Sequence, residues 1–388
     1  MVGFGIVIPV LPIYAEGSLI HATSTQLAWI LGIYSLLQLI CAPIFGKWSD
    51  QVGRKPILVI SILGTAIGFL VLGAAGSVWM LLLGRIIDGV SGGNISTAMA
   101  CIADVTTKEN RSRNMGLIGA AFGLGFMIGP VIGGVLSHHI AISAPFYFAG
   151  GLALINAFLV WLQLPETLTA ESRERAKQRA SLGEIFQGGR VGMIGAILMA
   201  QLASITGFSI MTVLFALYCE KNLGYNIAQS SYMFAYIGFL GVIFQGGLLR
   251  RLLKRPIEKQ LAVIGSFLMA CSIVTLPFAH STGWLLFILF FIALGNSFVS
   301  PTLLGLASRS TDAHCQGRLL GLMQSAASLG RFLGPMIGFS LVSFSPVGSY
   351  ARFSFFASAA LLFLAMFCIA CVFPPKPSES ATAEIPEL

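Results

Sequence analysis

The chain has 388 residues, of which 56% are hydrophobic and only 10% charged, against about 25% charged in a soluble domain. That balance excludes a water-soluble globular protein, and apolar runs of about 20 residues exclude the alternating pattern of an outer-membrane barrel. The formal charge of +8 would suit a nucleic-acid partner, but the placement of the bases argues for membrane topology instead.

Runs bounded by charges and turn residues predict twelve spans. They lie near residues 1–16, 26–46, 56–75, 79–102, 115–137, 144–164, 191–218, 228–250, 259–279, 283–306, 316–343 and 350–373. The first holds about fourteen apolar or small residues before Glu16, so this helix reads as truncated at its N-terminus. Residues 165–190, rich in Glu, Arg, Lys and Gln, read as a cytoplasmic linker with a surface helix supported by Glu171 and Arg175. Residues 374–388 read as a disordered tail. The expected organisation is a six-helix half over 1–164, the linker, a second half over 191–373, and the tail.

Bases fill the even connections: Lys47, Arg54 and Lys55, then Lys108, Arg111 and Arg113, then the linker, then Arg250 to Lys259, then Arg309 and Arg318. The odd connections hold only Lys221. This positive-inside alternation places both termini in the cytoplasm of a multi-pass protein of the cell inner membrane. The expected surroundings are a lipid bilayer, with no nucleic acid, and the expected state is a monomer.

Shifting the chain on itself by 205 residues brings Arg113, Gly116, Leu117, Gly125, Gly129, Pro130, Ile132 and Gly133 onto identical residues. These are Arg318, Gly321, Leu322, Gly330, Gly334, Pro335, Ile337 and Gly338. The fifth and eleventh spans are therefore related copies, as a duplicated six-helix unit requires, with a site expected between the halves.

After the second span comes Gly46-Lys-Trp-Ser-Asp50-Gln-Val-Gly53-Arg54-Lys55, two glycines for a tight reversal beside an acid and two bases. The fifth span carries Gly125-Phe-Met-Ile-Gly129-Pro130-Val-Ile-Gly133-Gly134, where small residues let a neighbouring helix approach and Pro130 bends the backbone. The first motif resembles the signature loop of the major facilitator superfamily, and the second resembles the antiporter motif of its drug:proton exchangers. Stretches from Met1 to Pro12, Leu83-Gly-Arg85, Ile102-Ala-Asp104, Glu220-Lys-Asn-Leu-Gly-Tyr and Phe244-Gln245 extend the likeness to the tetracycline-efflux branch. The resemblance implies an all-α integral membrane fold of twelve helices in two pseudo-symmetric bundles, and export rather than uptake. It also implies that Asp50, Arg54 and Asp104 form a cytoplasmic gate, with Gln51 in place of the usual arginine. The acids that the tetracycline exporters carry in spans one, three and nine are lost here from the chain start, Gly68 and Met269, which points to a broader or different amphipathic substrate.

An ionised group at mid-bilayer costs roughly 2.5–3.5 kcal/mol, so each one that survives is a functional suspect. Asp88 is the one acid well inside a span, and Arg85 shares its helix face three residues earlier. The pair is either a proton carrier with its tuning partner or a static ion pair. Arg331, near the middle of span eleven, could face Asp88, meet an anionic substrate, or hydrogen-bond carbonyls near Pro335. Gln201 and Gln245 are further candidates for the substrate cavity, together with aromatic residues such as Tyr232, Phe234 and Phe239. No metal site, cofactor or enzymatic constellation is expected. The expected function is proton-coupled efflux of a small amphipathic compound by alternating access. The alternatives are a metabolite facilitator or symporter of the same fold, or a sensor that does not transport.

Overall fold

The computed structural model describes residues 1–17, 19–106, 111–168, 191–253, 257–311, 316–346 and 349–371. Most of the predicted linker and the predicted tail lie outside them, as does Lys108. The described elements are helical. α1 (Val2–Glu16), α2 (Ser24–Val52), α3 (Arg54–Gly73), α4 (Val78–Ser91), α5 (Asn94–Asp104), α6 (Arg111–His139) and α7 (Ala144–Gln163) make the first half. α8 (Val191–Leu223), α9 (Ile227–Ile243), α10 (Glu258–Thr275), α11 (Thr282–Arg309), α12 (Gln316–Val342) and α13 (Arg352–Ala370) make the second. Eight of these are each long and apolar enough to cross a bilayer. The other four spans are α1, the α4–α5 pair, α6 and α12.

Two expectations need correction. Span four is not one helix: it breaks at Gly92 and Gly93, between α4 and α5. Broken backbone at membrane depth persists only where protein groups satisfy the freed carbonyls, and here the Gln38 amide on α2 donates to the Gly92 carbonyl at 3.0 Å. The second concerns Gly46, which lies inside α2 and takes no part in a reversal, because α2 runs on to Val52. Gly53 alone makes the turn into α3, at φ +129°, a conformation that glycine reaches without a Cβ penalty.

The duplication read from the glycines extends through the caps and the core. Capping boxes start α2 (Thr23 with Gln26) and α9 (Asn226 with Gln229). Ser77 caps α4 and Ser281 caps α11. Tyr14 on α1 donates its hydroxyl to the Ala75 carbonyl and packs on Phe146 of α7. Its counterpart Tyr218 on α8 donates to Leu276 and Ala279 and packs edge-on against Phe355 of α13. A buried phenol needs a partner for its hydroxyl, and both halves supply a helix-end carbonyl.

The halves pack chiefly through α2 on α12 and α6 on α9, and α1 meets α8. Among the described residues no substantial packing joins α4 or α5 to α11. The bundle is thus closed on the side remote from the termini, where α1 ends and α8 ends, and less tightly joined on the side of the termini.

Candidate functional site

At the centre, α2, α4 and α12 bring six polar side chains together: Tyr34, Gln38, Arg85, Asp88, Ser328 and Arg331. Arg85 and Asp88 are 3% and 5% exposed, and Arg85 Nη1 lies 3.2 Å from Asp88 Oδ2. Arg85 has two further supports: its Nε donates to the Ile30 carbonyl at 3.2 Å, and its guanidinium lies 4.4 Å from the centre of the Tyr34 ring. The Thr65 hydroxyl on α3 lies near the Asp88 carboxylate. Arg331 does not meet Asp88. Instead it crosses to the facing half, where Nη2 donates to Gln38 Oε1 at 3.4 Å, and it also donates to Ser328 Oγ at 2.9 Å on its own helix.

The wall behind Asp88 is closed by Gly68 on α3. A Cβ at position 68 would come within 2.9 Å of the Asp88 Cβ and backbone nitrogen. Gly68, the position at which the span-three acid of the tetracycline exporters is lost, therefore has no room for a side chain beside Asp88. Gln201 is buried on α8, whereas Gln245 is exposed on a π-helical turn, Phe244–Leu249, that follows α9. No described hydrogen bond joins either amide to the central cluster. Phe234 packs in the core against Phe215, whereas Tyr232 and Phe239 are exposed.

On the side of the termini, Arg54 is 3% exposed and pairs with Asp50 Oδ1 at 2.7 Å and with Asp104 Oδ2 at 3.0 Å. Its Nη1 also donates to Ser49 Oγ at 2.7 Å. Glu166, just after α7, accepts from the backbone nitrogens of Arg54 (2.9 Å) and Lys55 (3.2 Å) and so caps the start of α3. Burial alone would raise its carboxyl. The N–H donors of Leu168, Arg54, Lys55 and Thr167 outweigh that and hold it below the usual carboxylate range. The partners described here belong to the first half, and the network ties α2, α3, α5 and the end of α7 together.

In the fifth span, Gly125, Gly129 and Gly133 form one face of α6 on which α1 lies. A Cβ on Gly129 would sit 2.8 Å from the Gly5 backbone. Gly134 points the other way: its Cβ would meet Ser231 of α9 at 2.6 Å, so α6 serves both the packing of its own half and the seam between halves. On α12, the repeat-related Gly330, Gly334 and Gly338 receive α8 in the same manner.

At the remote side, Glu16 at the end of α1 pairs with Lys221 in the last turn of α8, Nζ to Oε1 2.5 Å. Lys221 also lies over the Tyr350 ring at 4.5 Å. Sequence reasoning did not select Tyr34, Gln38, Glu166, Glu16 or Lys221. Two signals were available: Gln38 is an amide within an apolar run, and Lys221 is the lone base in the odd connections.

Twelve spans among the described residues, in two repeated halves with a polar cluster between them, define a polytopic membrane transporter rather than an enzyme. The Major Facilitator Superfamily profile matches residues 1–335, and the chain belongs to that superfamily. It is 32% identical over 340 residues to the class C tetracycline resistance protein of Escherichia coli, covering 87% of this chain and 85% of that protein. It is 30% identical over 338 residues to multidrug resistance protein 1 of Bacillus subtilis (strain 168), covering 87% and 85%. The fold superposes with a TM-score of 0.77 on a bacterial homologue of the human lysosomal transporter Spinster in an inward-facing and occupied conformation, at 14% identity over 96% of this chain and 93% of that one.

Proposed function

We propose that the protein exports small amphipathic compounds across the cell inner membrane in exchange for protons, by rocking its two halves about the central cluster, with both termini in the cytoplasm. The observation that carries this reading is the buried Arg85–Asp88 pair beside the break in span four. A charge pair at this depth is costly to keep, and this one is built to survive the loss of one partner's charge. When a proton neutralises Asp88, Arg85 still has the Tyr34 face and the Ile30 carbonyl. The carboxyl can therefore load and unload a proton without leaving an unsupported guanidinium. The names of the tetracycline and multidrug resistance relatives support drug-like cargo.

In this reading the Arg54 network keeps the cytoplasmic ends of the first half together as one rigid body. The contact of α1 with α8 and the Glu16–Lys221 pair close the outside, so the conformation opens toward the cytoplasm, ready to load cargo. The test uses everted membrane vesicles carrying a pH gradient reported by a fluorescent dye. Adding a transported amphipath should collapse the gradient with the wild-type protein and not with Asp88→Asn. Undiminished gradient-driven transport by the variant would remove Asp88 from the mechanism.

A further inference from the structure

The central cluster carries more positive charge than it neutralises. Arg85 and Asp88 cancel, but among the described residues Arg331 forms no ion pair; its partners, Gln38 and Ser328, are neutral. An unbalanced charge between membrane helices is expensive and marks a functional position. A guanidinium offers five N–H donors in a rigid fork, and the described contacts of Arg331 engage only one of its nitrogens, Nη2.

The side chain is held rather than loose. The Gln38 amide nitrogen is committed to the Gly92 carbonyl of the broken helix at 3.0 Å and to the Tyr34 hydroxyl at 3.3 Å. Its oxygen is thereby turned to Arg331. Arg85 is almost fully enclosed, whereas Arg331 is only half-buried and reaches into the seam between the halves. Tyr34 links the two arginines: its ring lies against Arg85, and its hydroxyl accepts from the Gln38 amide whose oxygen faces Arg331.

Building on the exporter reading, we propose that Arg331 sets the charge selectivity of the substrate site. Its open donors take an acceptor oxygen of the cargo, carbonyl or carboxylate, and its unneutralised charge turns away lipophilic cations. A carbonyl or carboxylate satisfies the fork directly. An ammonium ion brings donors where donors already stand and adds charge to a site that has an excess. Discrimination arises from leaving buried groups unpaired, the strongest source of specificity available to such a site.

Three fluorescent compounds with one ring system test this: anthracene-9-carboxamide, anthracene-9-carboxylate and 9-(aminomethyl)anthracene, with binding to the purified protein in lipid nanodiscs followed by anisotropy. The wild type should bind the amide and the carboxylate at least about tenfold more tightly than the ammonium compound, since a hydrogen bond to a charged group is worth ~1.5–3 kcal/mol. Arg331→Gln should bring the three within about threefold of one another by weakening the first two and admitting the third. Arg331→Lys, which keeps the charge and loses the fork, should still reject the ammonium compound while binding the carboxamide less tightly; it serves as the readout if the glutamine variant does not fold. Equal wild-type affinities, or an order unchanged in both variants, would overturn the proposal. Transport of the same compounds in proteoliposomes separates the two ideas. An Arg331-dependent binding order without proton exchange keeps the selectivity and rejects antiport, whereas proton-coupled export of the ammonium compound keeps antiport and rejects the selectivity.

Discussion

Glu166 shows how a single side chain outside the apolar runs can organise the membrane surface. Its two oxygens cap the first backbone nitrogens of α3, and Gly53 must be a glycine partly for its sake, because a Cβ there would sit 2.6 Å from Glu166 Oε2. The carboxyl is held below its ordinary range, so its contribution is full above the unfolded value near pH 4.3 and fades as pH falls through the lower folded value. The group is exposed, so solvent screening limits this to at most about 1 kcal/mol. Glu166→Gln should therefore lower the melting temperature of the purified protein by ~1–2 °C at pH 7, and the deficit should shrink as pH falls through the lowered folded value. A deficit that does not change with pH would show that the carboxylate charge contributes nothing.

Among the elements, α6 and α12 do equivalent work, and their glycines explain why they are less apolar than other spans. Each presents three glycines at four-residue intervals to the first helix of its own half, bringing backbones close enough for dispersion contacts that lipid cannot replace. Gly129→Ala would force the α1 and α6 backbones apart, because the new methyl would fall 2.8 Å from Gly5 Cα; overpacking of this kind costs about 1–3 kcal/mol. The repeat-related Gly334→Ala meets the Ser209 Cβ and Oγ at 2.5 Å; a rotamer change moves only the Oγ, so the α8 and α12 backbones must part here too. Thermal melting in detergent should therefore show a comparable loss for Gly129→Ala and Gly334→Ala. A loss confined to one of them would mean that the other contact is looser than the geometry states. The helix-end ties repeat too. Arg54 at the start of α3 bonds Asp104 at the end of α5, and at the start of α10 Glu258 bonds Arg309 at the end of α11, 2.7 Å apart, with the signs of the charges exchanged.

For the molecule as a whole, the bias between conformations rests on contacts that cross the seam. The α2–α12 and α6–α9 seams are extensive and suit a pivot. The Glu16–Lys221 pair is local, about a third exposed on both sides at 31% and 37%, and worth no more than ~1 kcal/mol. That is enough to shift a two-state population by roughly fivefold without locking it. In Lys221→Gln, spin labels placed at Gly17→Cys and Leu223→Cys should report a larger fraction of long distances than in the wild-type background. An unchanged distance distribution would assign the closure to apolar packing of α1 on α8 alone.

The sequence by itself determined what depends on repeating chemistry along the chain. Span number, the duplication and the polar suspects Asp88, Arg85 and Arg331 were all readable, because the bilayer penalises charge and polar backbone strongly enough to write itself into composition. The membership of Asp104 beside Arg54 was legible only through resemblance, since the two are far apart in sequence. What only the tertiary structure decided is which of these groups touch. Asp88 is neutralised by Arg85 and not by Arg331, Gln38 joins the broken span four to the opposite half, and Gly68 has no side chain because Asp88 packs against it. A one-dimensional pattern records how buried a residue must be, but partners across a helix seam are set by the rotation and crossing of helices, on which hydropathy is silent.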